Sequence, residues 1–302
     1  MNRRKFIRNL AVGSAGVGLT SLPYKLLASP DFVTISILHT NDIHCHIEPL
    51  TGGDERNNNK GGMARISELV KQTREENPNT LLFDAGDMFQ GTPYFNYFKG
   101  ELILKVMSSI GYDAGTIGNH EFDNGLKGIL DPLPNAKFPL INSNYDFSDT
   151  ILNGKFSPWK TFTKSGIKIG VYGLGIELKG LVAEKNFGNT VYNDPLKVAS
   201  QMESLLRNDE KCDLIVCLSH LGYKYNDNKI SDVILAENTF YTDLIIGGHT
   251  HTFLEKPEIL TNRAGEQVIV NQAGCYSLML GKIDFVFERS GNKKKPVLTA
   301  NL

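Results

Sequence analysis

The sequence is poor in cysteine and lacks a basic block that would mark a nucleic-acid-binding surface. Four cysteines occur among 302 residues, and no two are spaced as a CxxC pair, so no disulfide framework is indicated. The formal net charge is −1, and no run of four or more lysines or arginines follows the first ten residues, so no stable nucleic-acid partner is expected. Beyond the N-terminal segment, no apolar run reaches the ~20 residues that span a bilayer, so no membrane anchor is expected.

The sequence also has no internal repeat of 20–50 residues and no low-complexity linker. Hydrophobic residues make up 41% and charged residues 22% of the chain, which is ordinary for a globular protein. The length allows one large domain with a sizeable core. We therefore expect residues 31–302 to form a single domain.

The first 30 residues have the layout of an export signal. MNRRKFIRNL is basic, the next 18 residues are apolar and rich in small side chains, and Ser29 and Pro30 follow. The pair Arg3-Arg4 is typical of the twin-arginine class of bacterial signals. This predicts an exported, periplasmic protein whose signal is cleaved after Ala28, although a general secretory signal with two chance arginines is the alternative.

Strand-like and helix-like segments alternate from residue 33 onward. This alternation, with an added antiparallel share, predicts an α/β sandwich with mixed sheets. The polar stretch 54–62 is interpreted as a surface loop. Strands are expected at 33–39, 80–86, 114–119, 138–144, 159–173 (a hairpin), 212–220, 243–248, 267–272 and 280–287, and helices at 61–77, 101–110, from Asp194-Pro195 onward and at 230–237.

Side chains that commonly bind metals follow five of these strands. Ligands gather beyond the carboxyl ends of the strands of an open α/β sheet, so these side chains are expected at one edge. Carboxylates, imidazoles and one amide oxygen suit Mn, Fe or Zn. Seven ligands are too many for one ion but fit two ions that share a carboxylate. The seven are Asp42, His44, Asp87, Asn119, His220, His249 and His251.

Five blocks carry a resemblance to a known family. DIH, GDMFQG, GNHEFD, SHLGY and GGHTH, in this order, resemble the calcineurin-like metallophosphoesterases. Within them, LHTNDIHCHIEP and GNHEFDNG are similar to the periplasmic 5′-nucleotidase and UDP-sugar hydrolase family. The resemblance covers roughly residues 33–285. It implies a four-layer αββα sandwich with two mixed β-sheets and a dimetal site at the sheet edge.

The resemblance also implies a role for each candidate ligand. Asp42, His44, Asp87 and His251 would hold one ion, and Asp87 would bridge to a second ion completed by Asn119, His220 and His249. His251 departs from the pattern, because the nucleotidases often carry Gln there, but histidine is a competent ligand.

The remaining pair in the third block, His120 and Asp123, suits proton transfer. A histidine held by a carboxylate can protonate a departing oxygen near neutral pH, and the resemblance implies the same dyad. The expected activity is hydrolysis of phosphoric esters, 5′-nucleotidase-like and acting on a nucleotide, with a hydroxide held between two divalent ions as the nucleophile. A broad phosphomonoesterase or phosphodiesterase acting alone is the alternative.

The sequence ends at Leu302, directly after the domain that carries these blocks. The family's C-terminal substrate-binding domain is therefore expected to be absent, and a separately encoded domain of that type is a possible partner. Its expected docking surface is a set of apolar side chains near the site, interpreted as exposed: Met88, Phe89, Tyr94, Phe95 and Phe122.

Two other classes of protein compete with this interpretation. The HxH formed by His44 and His46 also opens the amidohydrolase pattern on a TIM barrel, but GDMFQG and GNHEFD would then have no role. A non-catalytic scaffold of the same fold would be expected to have lost ligands, whereas all seven candidates are present here.

Overall fold

The structure is a computed structural model that describes residues 32–51, 57–288 and 297–300. The predicted signal at residues 1–30 and residues 54–56 of the polar stretch 54–62 lie outside the described residues. Residues 57–62 contain no helix or strand, as expected for a loop. None of the described helices combines the length and the apolar character needed to cross a lipid bilayer.

The described strands form two large mixed sheets and one small sheet. One large sheet has the order β13-β12-β1-β2-β3, with β1 parallel to β2 and antiparallel to β12. The other has the order β10-β11-β9-β8-β6-β5, in which β11, β9, β8 and β6 run parallel. β4 and β7 pair separately. The strands are β1 (Phe32–Thr40), β2 (Thr80–Asp84), β3 (Ala114–Gly115), β4 (Tyr145–Asp146), β5 (Trp159–Lys164), β6 (Ile167–Leu174), β7 (Val191–Tyr192), β8 (Leu214–Ser219), β9 (Leu244–Ile246), β10 (Glu258–Thr261), β11 (Gln267–Asn271), β12 (Gly281–Glu288) and β13 (Val297–Ala300).

Seven α-helices lie among the described residues, and most connect the strands. They are α1 (Met63–Glu76), α2 (Pro93–Phe98), α3 (Glu101–Ile110), α4 (Gly125–Leu130), α5 (Glu184–Phe187), α6 (Pro195–Ser204) and α7 (Asp232–Asn238). Short 3₁₀ turns cover His120–Phe122 and Leu133–Asn135, and a π turn at Leu205–Asp209 extends α6. As predicted, α6 begins at a capping residue followed by proline, since Oδ1 of Asp194 accepts the main-chain N–H groups of Leu196 and Lys197.

The two large sheets pack face to face, and helices cover their outer sides. Alternate residues of a strand point to opposite faces of its sheet. In β1, Ile35 and Ile37 therefore point into the layer between the sheets, whereas Leu38 points toward α1 and α3. In β8, Val216 points into the layer between the sheets and Ile215 points toward α6 and α7. The order of layers is helices, sheet, sheet, helices, which confirms the predicted αββα sandwich and excludes the TIM barrel.

Most predicted elements are present, with differences at their ends. The expected strand at 114–119 is only two residues long, because the chain turns after β3 to present Asn119 and His120. Residues 138–144 form no continuous strand. Isolated bridges link Leu140 to Gly115 of β3 and Ile141 to Ser157, and the main-chain N–H of Ser143 donates to the carbonyl of Gly173 in β6 at 2.8 Å. Helix α2 and the edge strand β10 were not predicted. Helix α2 has only six residues, and β10 has only four, so neither is long enough to show a clear hydrophobic period.

The expectation of an exposed apolar surface beside the site is wrong for most of its members. Met88, Phe89, Phe95 and Phe122 are all buried in the core between the first sheet and its helices. Tyr94 is half-buried and donates from its hydroxyl to Oε1 of Glu48 at 2.9 Å. The four buried side chains pack in the core of the domain, so they do not form a docking surface.

Candidate metal centre

The seven candidate ligands lie at the carboxyl ends of strands from both large sheets. Asp42 and His44 follow β1, Asp87 follows β2 and Asn119 follows β3. His220 follows β8, while His249 and His251 follow β9. The two sheets converge at this edge, so residues more than 200 positions apart in the chain come into contact.

Asp42, His44 and His251 form the first cluster, in which the ligand atoms all lie within 4.8 Å of one another. Nε2 of His251 lies 3.0 Å from Nε2 of His44 and 3.4 Å from Oδ1 of Asp42. Asp42 and His44 are buried, and His251 is partly exposed at the mouth of the site.

The second cluster consists of Asp87, His220 and His249. Nε2 of His220 lies 2.9 Å from Oδ2 of Asp87, and Nδ1 of His249 lies 2.8 Å from Oδ1 of Asn119, which brings the amide into the cluster. Oδ2 of Asp87 also lies 3.9 Å from Nε2 of His44, so Asp87 faces both clusters. The two histidines of the GGHTH turn thus belong to different clusters.

The arrangement of His220 fits a bound cation. Its Nδ1 lies 2.7 Å from the carbonyl oxygen of Ala85, so Nδ1 carries the donated proton and Nε2 is the nitrogen available to a second proton or to a metal ion. That buried Nε2 points toward the Asp87 carboxylate without a hydrogen-bond partner of normal geometry among the described groups. A lone pair facing an anion is repulsive unless a positive charge lies between them. Nitrogen and oxygen donors with no thiolate suit Mn, Fe or Zn.

Two glycines at the site cannot carry a side chain. A Cβ on Gly118 would lie 2.2 Å from Oδ1 of Asp87 and 2.5 Å from Nε2 of His220. A Cβ on Gly248 would lie 2.8 Å from Nδ1 of His220. Gly248, directly before His249, therefore lets this turn pack directly against His220, a candidate ligand that follows another strand.

Five of the seven candidate ligands have main-chain torsions in the left-handed region. Non-glycine residues seldom adopt this conformation, which costs about 1–3 kcal/mol each unless the surroundings enforce it. Such strain concentrates at functional sites. The φ angles are 49° for Asp42, 49° for His44, 56° for Asp87, 72° for His249 and 51° for His251.

Buried amides that the sequence did not single out hold two of these turns. Nδ2 of Asn41 donates to Oδ2 of Asp42 and to the carbonyl of Gly274, both at 2.6 Å. Nε2 of Gln272 donates to the carbonyl of Gly248 at 2.6 Å, and its Oε1 accepts from the main-chain N–H of Thr252. Side chains whose partners are mainly main-chain groups leave no spacing pattern, so the sequence offered no signal for them.

Tyr276 is a second type of residue that the sequence did not indicate. Its half-buried ring lies 5.7 Å from the ring of His44 and 5.5 Å from that of His251. The ring of His46, which was left out of the candidate ligands, lies 4.3 Å from Tyr276 and belongs to neither cluster. Tyr276 therefore forms a wall of the first cluster.

Histidine pKa values in the clusters depend on the carboxylates that they face. Burial lowers the pKa of His249 to about 4 and also lowers that of His44. Burial acts in the same direction on His220 and His251, but Asp87 beside the first and Asp42 beside the second raise each pKa to about 10. A proton and a divalent cation therefore compete for these nitrogens, and metal affinity should fall in acid.

The predicted proton-transfer pair is formed beside the clusters. Nδ1 of His120 lies 2.9 Å from Oδ2 of Asp123, and both side chains are partly exposed. The hydrogen bond to Asp123 raises the pKa of His120, against the lowering effect of partial burial. The ring of His120 lies 5.1 Å from that of His44, so a group bound at the clusters is within reach of this acid.

Two face-to-face sheets with paired ligand clusters at their edge define a phosphoesterase-type α/β sandwich. The sequence profile described as calcineurin-like phosphoesterase matches residues 35–253, which contain all nine candidate site residues. The chain therefore belongs to the calcineurin-like phosphoesterase family, whose members use two divalent ions; the two clusters are the candidate sites for them.

Several proteins that are similar to this chain are described as nucleotidases. The chain is 33% identical over 279 residues to a 5′-nucleotidase of Rattus norvegicus, a match that covers 85% of this chain and 47% of that protein. The structure resembles a 5′-nucleotidase precursor from Thermus thermophilus, with a TM-score of 0.78, 31% identity and coverage of 89% of this chain and 55% of that one. It also resembles the Haemophilus influenzae NAD nucleotidase, with a TM-score of 0.77, 29% identity and coverage of 89% and 55%. The chain thus spans about half the length of the curated relatives it matches.

Proposed function

We propose that this protein hydrolyses phosphoric esters of nucleotides at a two-metal centre formed by Asp42, His44, Asp87, Asn119, His220, His249 and His251. The observation that supports it best is that Asp87 belongs to the second ligand cluster and also faces the first, with His120 beside both. Two bound divalent ions would supply an activated water and neutralise phosphoryl oxygens.

The chain's own residues would then move one proton. We assign to His120 the transfer of its Nε2 proton to the leaving oxygen as the P–O bond breaks. Asp123 accepts the Nδ1–H bond of the same ring, which keeps Nε2 directed outward and stabilises the charged imidazolium before transfer. Solvent restores the proton after the alcohol departs, since both side chains are partly exposed.

The nucleotide is proposed from the nucleotidases that this chain resembles. Purified protein loaded with Mn²⁺ should hydrolyse AMP to adenosine and phosphate, or cleave the pyrophosphate bond of NAD or a sugar nucleotide, faster than it hydrolyses bis(nitrophenyl) phosphate. Equal turnover of all esters would favour a broad phosphoesterase acting alone. If the protein binds no transition metal and none can be reconstituted, the non-catalytic scaffold is the better interpretation.

We also propose that a separate chain supplies a substrate-binding domain. A dimetal site contacts the phosphoryl group, and selectivity requires further contacts to the rest of the substrate. The curated relatives are about twice as long as the part that matches this chain, so their unmatched part could supply such contacts. Because four of the five predicted docking residues are buried, other exposed aromatics are the candidate contacts for such a domain: Tyr97 (82% exposed) and Phe98 (50% exposed) in α2, and Phe253 (46% exposed), two residues after His251. The single chain should therefore bind AMP weakly, even where it prefers nucleotides to aryl esters, and its affinity should improve when the partner domain is added; tight binding of AMP by the single chain would contradict a required partner.

Export to the periplasm through the twin-arginine route is proposed from Arg3-Arg4. The Thermus thermophilus neighbour is described as a precursor, which is compatible with an exported protein.

A further inference from the structure

Glu121 is a buried carboxylate that accepts four main-chain hydrogen bonds from two different loops. It is 1% exposed and lies in the 3₁₀ turn directly after His120. Its Oε1 accepts from the N–H groups of Met88 at 2.8 Å and Phe89 at 3.0 Å. Its Oε2 accepts from the N–H groups of Asp87 at 3.0 Å and Gly118 at 2.6 Å.

These four bonds use the full accepting capacity of the carboxylate. Each oxygen has two lone pairs and receives two N–H donors, so neither oxygen is left to bind an ion or a substrate. Glu121 is also not a member of either ligand cluster. Any influence it has on the metal centre must therefore be exerted through the main chain that it holds.

The segment held by Glu121 connects directly to three of the candidate ligands. Asp87 belongs to it, and the main-chain N–H of His44 donates to the carbonyl of Asp87 at 3.0 Å. Nδ1 of His44 lies 3.2 Å from the carbonyl of Phe89, so this peptide also fixes the orientation of the His44 ring. On its other side, Glu121 ties this segment to Gly118, which directly precedes Asn119.

Three loops are thus linked: the loops at 87–89 and 118 bond to Glu121, and the loop at 44–45 bonds to the segment 87–89. The N–H groups of the segment 87–89 point to Glu121, while its carbonyls point to residues 44 and 45. Asp87 has a left-handed φ of 56°, a conformation that its side chain alone does not favour. A partner that captures three consecutive N–H groups would hold the segment in this shape.

We propose that Glu121 is a positioning residue that sets the geometry of both ligand clusters, by fixing Asp87 and the Phe89 carbonyl relative to Asn119. It neither binds the ions nor contacts the substrate. The inference rests on the proposed ligand set but not on the identity of the substrate.

Glu203 provides a matched control. It is also 1% exposed, and its carboxylate accepts from the main-chain N–H groups of Phe240 at 2.8 Å, Tyr241 at 2.9 Å and Thr242 at 3.0 Å. These residues precede β9, at the opposite end from His249. The two glutamates therefore make the same kind of hydrogen bonds, one beside the ligands and one remote from them.

The test compares Mn²⁺ binding to metal-free wild type, Glu121→Gln and Glu203→Gln by titration calorimetry. The amide introduced by Glu121→Gln would turn an NH₂ group toward two N–H donors, so the segment 87–89 must shift. Glu121→Gln should weaken metal affinity by about 10–100-fold, as expected when a group that orients metal ligands is changed. Glu203→Gln should lower the melting temperature to a similar degree but leave metal affinity within about threefold, since additivity holds for distant sites.

Each outcome decides the matter. Wild-type metal affinity in folded Glu121→Gln would overturn the proposal, and a wild type that binds no metal would instead overturn the ligand assignment. If Glu121→Gln does not fold, Glu121→Asp is measured in its place, because the shorter carboxylate cannot reach both loops. If neither variant folds while Glu203→Gln does, Glu121 is a structural residue only and the positioning role is wrong.

Discussion

The main-chain N–H of His120 donates to Oδ1 of Asp87 at 2.8 Å. The proposed acid is thus tied to the carboxylate that faces both ligand clusters, while its ring is oriented independently by Asp123. The groups proposed to bind the phosphoryl group and to protonate the leaving oxygen are therefore joined by a direct hydrogen bond. A change at Asp87 should affect both, whereas a change at His120 or Asp123 should affect protonation alone.

Asp87→Asn should abolish paired metal binding. The buried carboxylate is the ligand placed to neutralise two cations, and a neutral amide cannot do so. Metal content per chain and phosphatase activity should both fall to near background. Asp213→Asn is the control, since Asp213 precedes β8 at the other end of the sheet and accepts the N–H of Lys168. Near-wild-type metal content in Asp87→Asn would contradict the assignment of the bridge.

Removal of metal should lower the melting temperature. The clusters bring buried carboxylates and left-handed main chain together only when the protein is folded. A cation that binds there therefore stabilises the folded state and not the unfolded chain. At a free metal concentration 100 times Kd, binding contributes about 2.7 kcal/mol, which corresponds to a rise of about 5–10 °C in Tm. Thermal unfolding with EDTA and with excess Mn²⁺ measures this difference. An unchanged Tm would argue against sites that form only in the folded protein.

The fold was largely predictable because its layers follow from hydrophobic periodicity. β8 has apolar residues on both faces, as its apolar sequence indicates. The sequence of α1 places Met63, Ile66, Leu69 and Val70 on one helical face, and in the structure Met63, Ile66 and Val70 are buried while Leu69 is partly exposed. The short strand β3 and the bridges near Leu140 were not predictable in detail, because their ends are set by the turn that presents Asn119.

For the candidate site, the sequence indicated the ligands but not the residues that hold them. Metal-binding side chains after successive strands leave a clear pattern, whereas Asn41, Glu121 and Gln272 bond chiefly to main-chain groups of distant segments. The same limit explains the error at Met88 and Phe89. Their neighbours along the chain are polar loop residues, and only the tertiary structure places their side chains in the core.

Export should depend on the two arginines near the N-terminus. The twin-arginine route carries folded proteins and reads the arginine pair, so Arg3→Lys combined with Arg4→Lys should retain the precursor in the cytoplasm. Fractionation of a bacterial host, followed by immunoblotting, measures the distribution. The single variants serve as controls for expression. A doubly substituted protein that still reaches the periplasm would favour the general secretory pathway.

His120→Ala should harm poor leaving groups more than good ones. A nitrophenolate departs without a proton, whereas an alkoxide requires one, and general acid assistance is worth about 10²–10⁴ in rate. The kcat for a nucleoside or alkyl phosphate should therefore fall by that factor, and the kcat for a nitrophenyl phosphate far less. Metal content should be unchanged, because His120 belongs to neither cluster. Equal losses on both substrates would indicate that His120 stabilises the phosphoryl group instead.

The pH dependence of the reaction should shift when Asp123 is changed. The hydrogen bond to Asp123 is the largest influence on the pKa of His120 and raises it, so the protonated acid persists to higher pH than an isolated histidine would. Activity that depends on this proton is lost as pH rises through the raised pKa. Asp123→Asn removes the charged acceptor, which lowers that pKa and should move the alkaline limb of kcat/KM for an alkyl phosphate toward lower pH. Asp131→Asn, which removes an exposed carboxylate paired with Lys127, is the control and should leave the limb in place. An alkaline limb that does not move in Asp123→Asn would show that another group, not His120, supplies the proton.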